Sequence, residues 1–404
     1  MGFDGGADSV KLMIPITSKV RSTKHSRNEP KTLGTGFSLA RRIRANATVD
    51  SAGNLYEMYI ETDTTNRYLK IVRTAPNGTT SYAIRSIVNT NAMVGVLVAV
   101  GSTIHVVYRS PSENLTAIYY FTFSGASVCG NGAFTALPSY VSRSTIPALT
   151  GNTMTYVGAL DIVVDNTGAI HVATMKGDGT THTIQYTVSF DGGASFNAWQ
   201  TAFTHSGGYN TGLGIILGLA VSTTTGAVYM LVKYFTAAVL TIRWKASTTW
   251  ATAQTLTSSS HGTNYFEEHL VALTDGKIMC AYWANTLPNL VINIFTGANA
   301  PVVTTFTAFA MGAVQGTALL MIVTPRQVKF VNVADLNRAT TKASMVCFNM
   351  HDGSFSEMQV RDTGASSGTT TASYNAMLTS NTKEVVNYTQ RGATVLTTEL
   401  EIII

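Results

Sequence analysis

Charge is scarce in this chain. Of its 404 residues only 12% are Asp, Glu, Lys or Arg, about half the usual share. With 45% hydrophobic residues it has enough apolar surface to fold, which excludes intrinsic disorder. Cysteine is rarer still: Cys129, Cys280 and Cys347 stand far apart and show no metal-ligand spacing. A disulfide framework is therefore not expected, and buried thiols are. No apolar run reaches the roughly 20 residues of a membrane span, and no signal-peptide apolar core follows Met1. Membrane insertion and classical secretion are not expected. Met1-Gly2 opens like an acylation site, but Asp4 and Gly6 do not fit that pattern.

The few charges are unevenly placed. Residues 1–44 hold nine basic side chains against Asp4, Asp8 and Glu29, so this segment carries +6 and the rest of the chain −1. A basic segment on a neutral body suits docking to an acidic protein surface or nucleic acid. The cluster Arg41, Arg42 and Arg44 lacks interleaved aromatics, which disfavours base stacking and leaves a protein contact as the expectation.

What the chain does have is a recurring hairpin: a small-and-apolar strand, a tight turn, then a second apolar strand. It occurs at Ala47–Tyr59, Val96–Tyr108, Asp161–Ala173, Leu219–Leu231 and Leu270–Tyr282, and more weakly at Leu319–Phe330 and Ala376–Tyr388. The turn glycines of the clear copies are Gly53, Gly101, Gly168, Gly226 and Gly276, spaced by 48, 67, 58 and 50 residues. Units of about 40–50 residues with about four strands are the repeat of a β-propeller. Each hairpin supplies the inner two strands of a blade. Arg67–Arg73, Ala117–Phe123, Thr181–Val188, Leu240–Lys245 and Leu290–Phe295 supply third strands. Ser124–Gly151 reads as an insertion. The expectation is an all-β fold: a single propeller of about seven four-stranded blades over 41–404, or six if the last two hairpins are misread, preceded by an N-terminal basic arm at 1–40. Strands at Val10–Ser18 and Thr394–Ile404 are expected to pair and close the ring, with Pro15 suiting an edge.

One stretch departs from simple alternation. Ile184–Gln200 contains Ser189-x-Asp191-x-Gly193-x-x-Phe196 between two strand patterns. Asp191 can accept backbone N–H groups a few residues on, Gly192 and Gly193 allow positive φ, and Phe196 is expected to fold back between the strands as an apolar plug. These residues resemble the Asp-box, the turn of sialidase-like β-propellers. The resemblance implies a turn on the outer blade edge with a structural role, not a catalytic one.

The sialidase-like resemblance also implies an arginine triad and a Tyr–Glu pair. Arg42-Ile43-Arg44 lacks the proline of the family's Arg-Ile-Pro motif. Arg243 and Arg326 are candidates for the rest of a triad. Tyr265, Glu267, Glu268 and His269 form the nearest tyrosine–carboxylate cluster, but adjacent glutamates on a strand point to opposite faces. His105 and His171 recur in Ile-His-Val at equivalent repeat positions, and half-buried histidines bonded to backbone are expected rather than a metal site. Asp50 and Asp165 precede their turn glycines by three residues, which is turn chemistry. Phe190, Phe196 and Trp199 read as core or blade-edge aromatics. No cofactor, metal or phosphate-binding motif is present.

Low charge, Thr/Ala/Gly/Asn-rich strands and a basic arm resemble virion proteins of tailed bacteriophages. This style implies a non-enzymatic tail component (nozzle, fibre or receptor-recognition propeller) that docks neighbouring subunits in a symmetric multi-copy assembly and binds no nucleic acid or membrane. A host surface glycan is a further candidate partner. The alternative is an extracellular, sialidase-like propeller that binds or hydrolyses carbohydrate.

Overall fold

The computed structural model describes residues 47–62, 67–75, 80–87, 94–109, 114–124, 134–136, 144–152, 160–177, 181–206, 216–234, 237–243, 250–255, 269–273, 275–283, 289–296, 302–307, 318–323, 327–333, 342–349, 354–362, 373–378 and 384–389. Among the described residues every regular element is a β-strand. The first sheet starts with β1 (Ala47–Val49), β2 (Leu55–Thr62), β3 (Arg67–Thr74) and β4 (Thr80–Ile87) in antiparallel order. Next come β5 (Val94–Val100), β6 (Thr103–Arg109) and β7 (Tyr119–Ser124). The segment read as an insertion then sends β8 (Phe134–Ala136) back to lie parallel on β4, with Tyr82 opposite Phe134. After it, β9 (Ser144–Thr145) completes the second sheet.

The third sheet is β10 (Leu160–Val164), β11 (Ile170–Gly177), β12 (Thr181–Ser189) and β13 (Gln200–Ser206). The fourth is β14 (Ile216–Val221), β15 (Val228–Tyr234), β16 (Ala237–Arg243) and β17 (Ala251–Thr255). The fifth comprises β18 (His269–Ala272), β19 (Ile278–Trp283), β20 (Asn289–Phe295) and β21 (Val302–Thr307). The sixth comprises β22 (Ala318–Val323), β23 (Gln327–Val333), β24 (Lys342–Asn349) and β25 (Phe355–Asp362). A last pair is β26 (Ser373–Leu378) with β27 (Glu384–Thr389).

All of the hairpins read from the sequence form the first two strands of a sheet. Their five turn glycines all have positive φ, from 59° at Gly101 to 84° at Gly168, a region other residues enter only with strain. First strands pack side by side around a circuit. Thus β1 lies against β5, β5 against β10, β10 against β14, β14 against β18, β18 against β22, β22 against β26, and β26 returns to β1. This is β-propeller architecture. The N-terminal arm and both strands expected to close the ring, Val10–Ser18 and Thr394–Ile404, lie outside the described residues.

The core sits between sheets. One cluster joins Val96, Val107 and Tyr120 of the second sheet to Leu160, Ile162, Ile170 and Val172 of the third. Another joins Tyr186 and Val188 to Leu219, Val228 and Met230 of the fourth. The second, third and fourth sheets are thus covered on both faces, so their inner strands are buried almost residue by residue, as in β6 from Ile104 to Arg109. A sheet with no solvated face has no place for charge, which accounts for the sparse Lys and Glu. Cys280 is one of these buried side chains. Cys129 lies outside the described residues.

Candidate functional site

Antiparallel order gives each sheet two unlike ends. The turn between first and second strands lies at the same end as the turn between third and fourth, here termed the hairpin end. The other, loop end carries the connections from second to third strand and from sheet to sheet.

The Asp-box lies at the hairpin end, between β12 and β13. Ser189 Oγ donates to Asp191 Oδ1 at 2.7 Å and accepts Gly193 N–H at 2.8 Å. Asp191 Oδ1 also accepts Ser195 N–H at 2.9 Å, and its other oxygen takes the Ser195 hydroxyl. Those Ser195 bonds, with Ser189, pull the Asp191 carboxyl down to about 2. Gly192 and Gly193 have φ of 70° and 92°, as the turn demands. Phe196 behaves differently from expectation. It packs against the Tyr120 ring of the second sheet, with centroids 5.2 Å apart, and so plugs the seam between sheets rather than its own hairpin. Trp199 joins the same cluster and donates its indole N–H to Pro147 O. Phe190, by contrast, is exposed.

The two histidines hold matching places, but their partners are tyrosines and not backbone. His105 Nδ1 lies 2.8 Å from Tyr120 Oη, and His171 Nδ1 lies 2.7 Å from Tyr186 Oη. Ring centroids are 6.1 and 6.0 Å apart, so the second and third sheets repeat one side-chain device. His171 alone has a carboxylate behind it, with Nε2 3.3 Å from Asp165 Oδ2. Burial raises the Asp165 carboxyl, but bonds from His171, Thr167 and Ala169 outweigh it and hold the group well below the usual carboxylate range. In the first sheet Asp50 serves the turn likewise, accepting Ala52 and Asn54 N–H and the Tyr56 hydroxyl. Both histidines are buried, which makes these pairs parts of the frame.

The loop end between the second and third sheets contains a residue that sequence reasoning missed. Arg109, the last residue of β6, is fully buried. Its Nη1 donates to Met175 O on β11 at 2.7 Å, and its Nη2 to Leu115 O at 3.3 Å. Its Nε has no partner among the described residues. Asn152 Nδ2 donates to the same Leu115 carbonyl at 2.6 Å, and its Oδ1 accepts Gly177 N–H at 3.1 Å. Among the described residues no ion pair compensates the guanidinium, and burial lowers it to about 10. The sequence signal was an arginine in a chain with few charges, standing where the next repeat has Met175.

Other expected residues fall elsewhere. Arg41, Arg42, Arg44, Tyr265, Glu267, Glu268 and Arg326 lie outside the described residues. The backbone of Arg243 ends β16 opposite Val228, at the hairpin end, and His269 begins β18 at the loop end. Arg243 and Arg109 are thus at opposite ends of the fold. Among the described residues no three His, Cys, Asp or Glu side chains group as metal ligands.

No family model and no curated protein matches this sequence. Its fold does match solved structures. A PL25 ulvan lyase aligns with a TM-score of 0.57 at 10% identity, over 91% of this chain and 94% of the lyase. The polysaccharide lyase Uly1 aligns with a TM-score of 0.50 at 9% identity, over 90% of each chain. The NanB sialidase from Streptococcus pneumoniae aligns with a TM-score of 0.45 at 11% identity, over 89% of this chain and 67% of the sialidase. At such identities the likeness is one of fold.

Proposed function

We propose that this chain is a seven-bladed carbohydrate-binding propeller that meets its glycan at the loop end. The supporting observation is the near-complete, reciprocal alignment with a polysaccharide lyase, which leaves little of either chain unmatched. Seven sheets, among the described residues, arranged in a circuit of first strands support the blade count. The loop end is favoured because at the other end the Asp-box bonds within itself and the hairpin turns bond to one another, as scaffolding does. Fold does not fix function, so the reading depends on a direct measurement. The virion-tail reading drew on composition and the basic arm rather than on any site, and the structural neighbours favour the carbohydrate alternative over it. In this proposal the basic segment with Arg41, Arg42 and Arg44 fixes the propeller to an acidic neighbouring surface.

The test is a panel of neutral and acidic polysaccharides, followed by calorimetry for binding and by release of reducing ends for cleavage. Saturable binding of at least one polymer is expected. A panel with neither binding nor cleavage removes the carbohydrate reading and returns assembly to first place. Cleavage would turn the binding propeller into an enzyme.

A further inference from the structure

We propose that Arg109 is an oxyanion receptor covered by the Asn114–Thr116 turn, and that the anion it takes is a carboxylate or sulfate of an acidic saccharide. The argument begins from an imbalance. A guanidinium has five N–H donors in a rigid fork and suits a bidentate oxyanion. Here it is shut away from water with two carbonyl partners and an Nε that has none. A buried charge is costly unless it is paired, and a buried donor left unmade adds to the cost. Carbonyl dipoles answer such a charge less fully than an anion does, because charge-assisted bonds are roughly twice as strong as neutral ones.

The cover has the features of a replaceable one. Leu115 O meets Nη2 at 3.3 Å, a long bond, whereas Asn152 holds the same carbonyl at 2.6 Å. Leu115 and Asn114 are themselves exposed, and the Asn114 side chain is spent on Thr116 of the same turn. Lifting this turn frees Nη2 beside the unpartnered Nε, on the edge of the guanidinium away from Met175 O. Those two N–H groups form the fork that a carboxylate or sulfate accepts from.

This inference rests on the carbohydrate reading only for the carrier of the anion; the anion site itself is testable alone. The probes are sodium glucuronate and its uncharged methyl ester, titrated into the full chain at constant ionic strength with the melting temperature as readout. Glucuronate is expected to raise the melting temperature of the wild type saturably, and the ester to leave it unchanged. Asn152→Ala, which releases the Leu115 carbonyl while keeping the arginine, should tighten glucuronate binding several-fold. Arg109→Lys should weaken it at least tenfold, with circular dichroism checking that the variant is folded. Equal effects of acid and ester, or glucuronate binding unchanged in Asn152→Ala, overturns the proposal. If Arg109→Lys does not fold, Asn152→Ala decides the matter. A glycan bound with no dependence on charge refutes this site but leaves the proposed function standing. Glucuronate binding without any polysaccharide binding does the reverse.

Discussion

Asp161 on β10 accepts the Leu219 N–H of β14 at 2.7 Å, so one carboxylate joins the innermost strands of two different sheets. These strands lie side by side without pairing through their backbones. Thr48 repeats the device two seams away, where its hydroxyl accepts Ala99 N–H at 2.9 Å. Turn-to-turn bonds add to it at the hairpin end: Ser51 N–H to Gly101 O, Asn166 Nδ2 to Thr223 O, and Ser222 Oγ to Gly276 O.

Removing the acceptor should therefore loosen a seam. Asp161→Ala leaves a buried N–H unmet and is expected to cost about 1–3 kcal/mol. Urea unfolding monitored by tryptophan fluorescence measures this, and an unchanged midpoint would show the bond to be dispensable.

Gly193→Ala should be more harmful than Asp191→Ala. At φ of 92° an alanine is strained, and its Cβ would overlap the Tyr120 ring. Strain of this kind costs about 1–3 kcal/mol before any clash is relieved. Asp191 is exposed and serves only its own turn, so its loss should lower the melting temperature by less. The reverse order, read by scanning calorimetry on the two variants, would show that the turn and not the seam limits stability.

Cutting into the inter-sheet core gives the largest expected effect. Leu231 on β15 is fully buried among Ala227, Tyr229 and Ile278. Leu231→Ala is expected to cost about 2–5 kcal/mol, as the site cannot collapse between two sheets. A loss below 1 kcal/mol in denaturant titration would mean that the sheets move together to fill the gap.

Stability should fall towards acid in two stages. Burial lowers the His105 pKa below its ordinary 6.5, so the unfolded chain binds that proton first and stability declines as pH drops below about 6.5. Asp165 is depressed by its hydrogen bonds, so its contribution is present above about 4 and is lost as pH falls further. Melting temperature against pH should show both, and His105→Gln should remove the upper stage while leaving the lower. A profile flat from pH 7 to 5 in the wild type contradicts the first assignment.

Inner strands were legible in the sequence because two local signals agree there: apolar runs, and a glycine that must take positive φ, as at Gly53 and Gly168. Third strands followed by alternation. What the sequence did not show was contact across seams. Phe196 looked like a plug for its own hairpin because nothing local names Tyr120, 76 positions earlier, as its partner. Likewise His105 and His171 were recognised as equivalent, but the tyrosines 15 residues on lie diagonally on the neighbouring strand and obey no short-range pattern. Arg109 escaped notice because its burial depends on Leu115 and Met175, which approach it only in the folded ring.

The parallel pairing of β8 on β4 bears on how the chain is made. The outer edge of the first sheet is complete at Ile87, yet its cover begins at Phe134, 47 residues later. At roughly 5–20 residues per second of synthesis, that edge stays open for several seconds on the ribosome. An uncovered strand is a template for pairing with other nascent chains. Vectorial synthesis thus places a hazard of misassembly early, before the insertion between β7 and β9 has emerged to supply the covering strand.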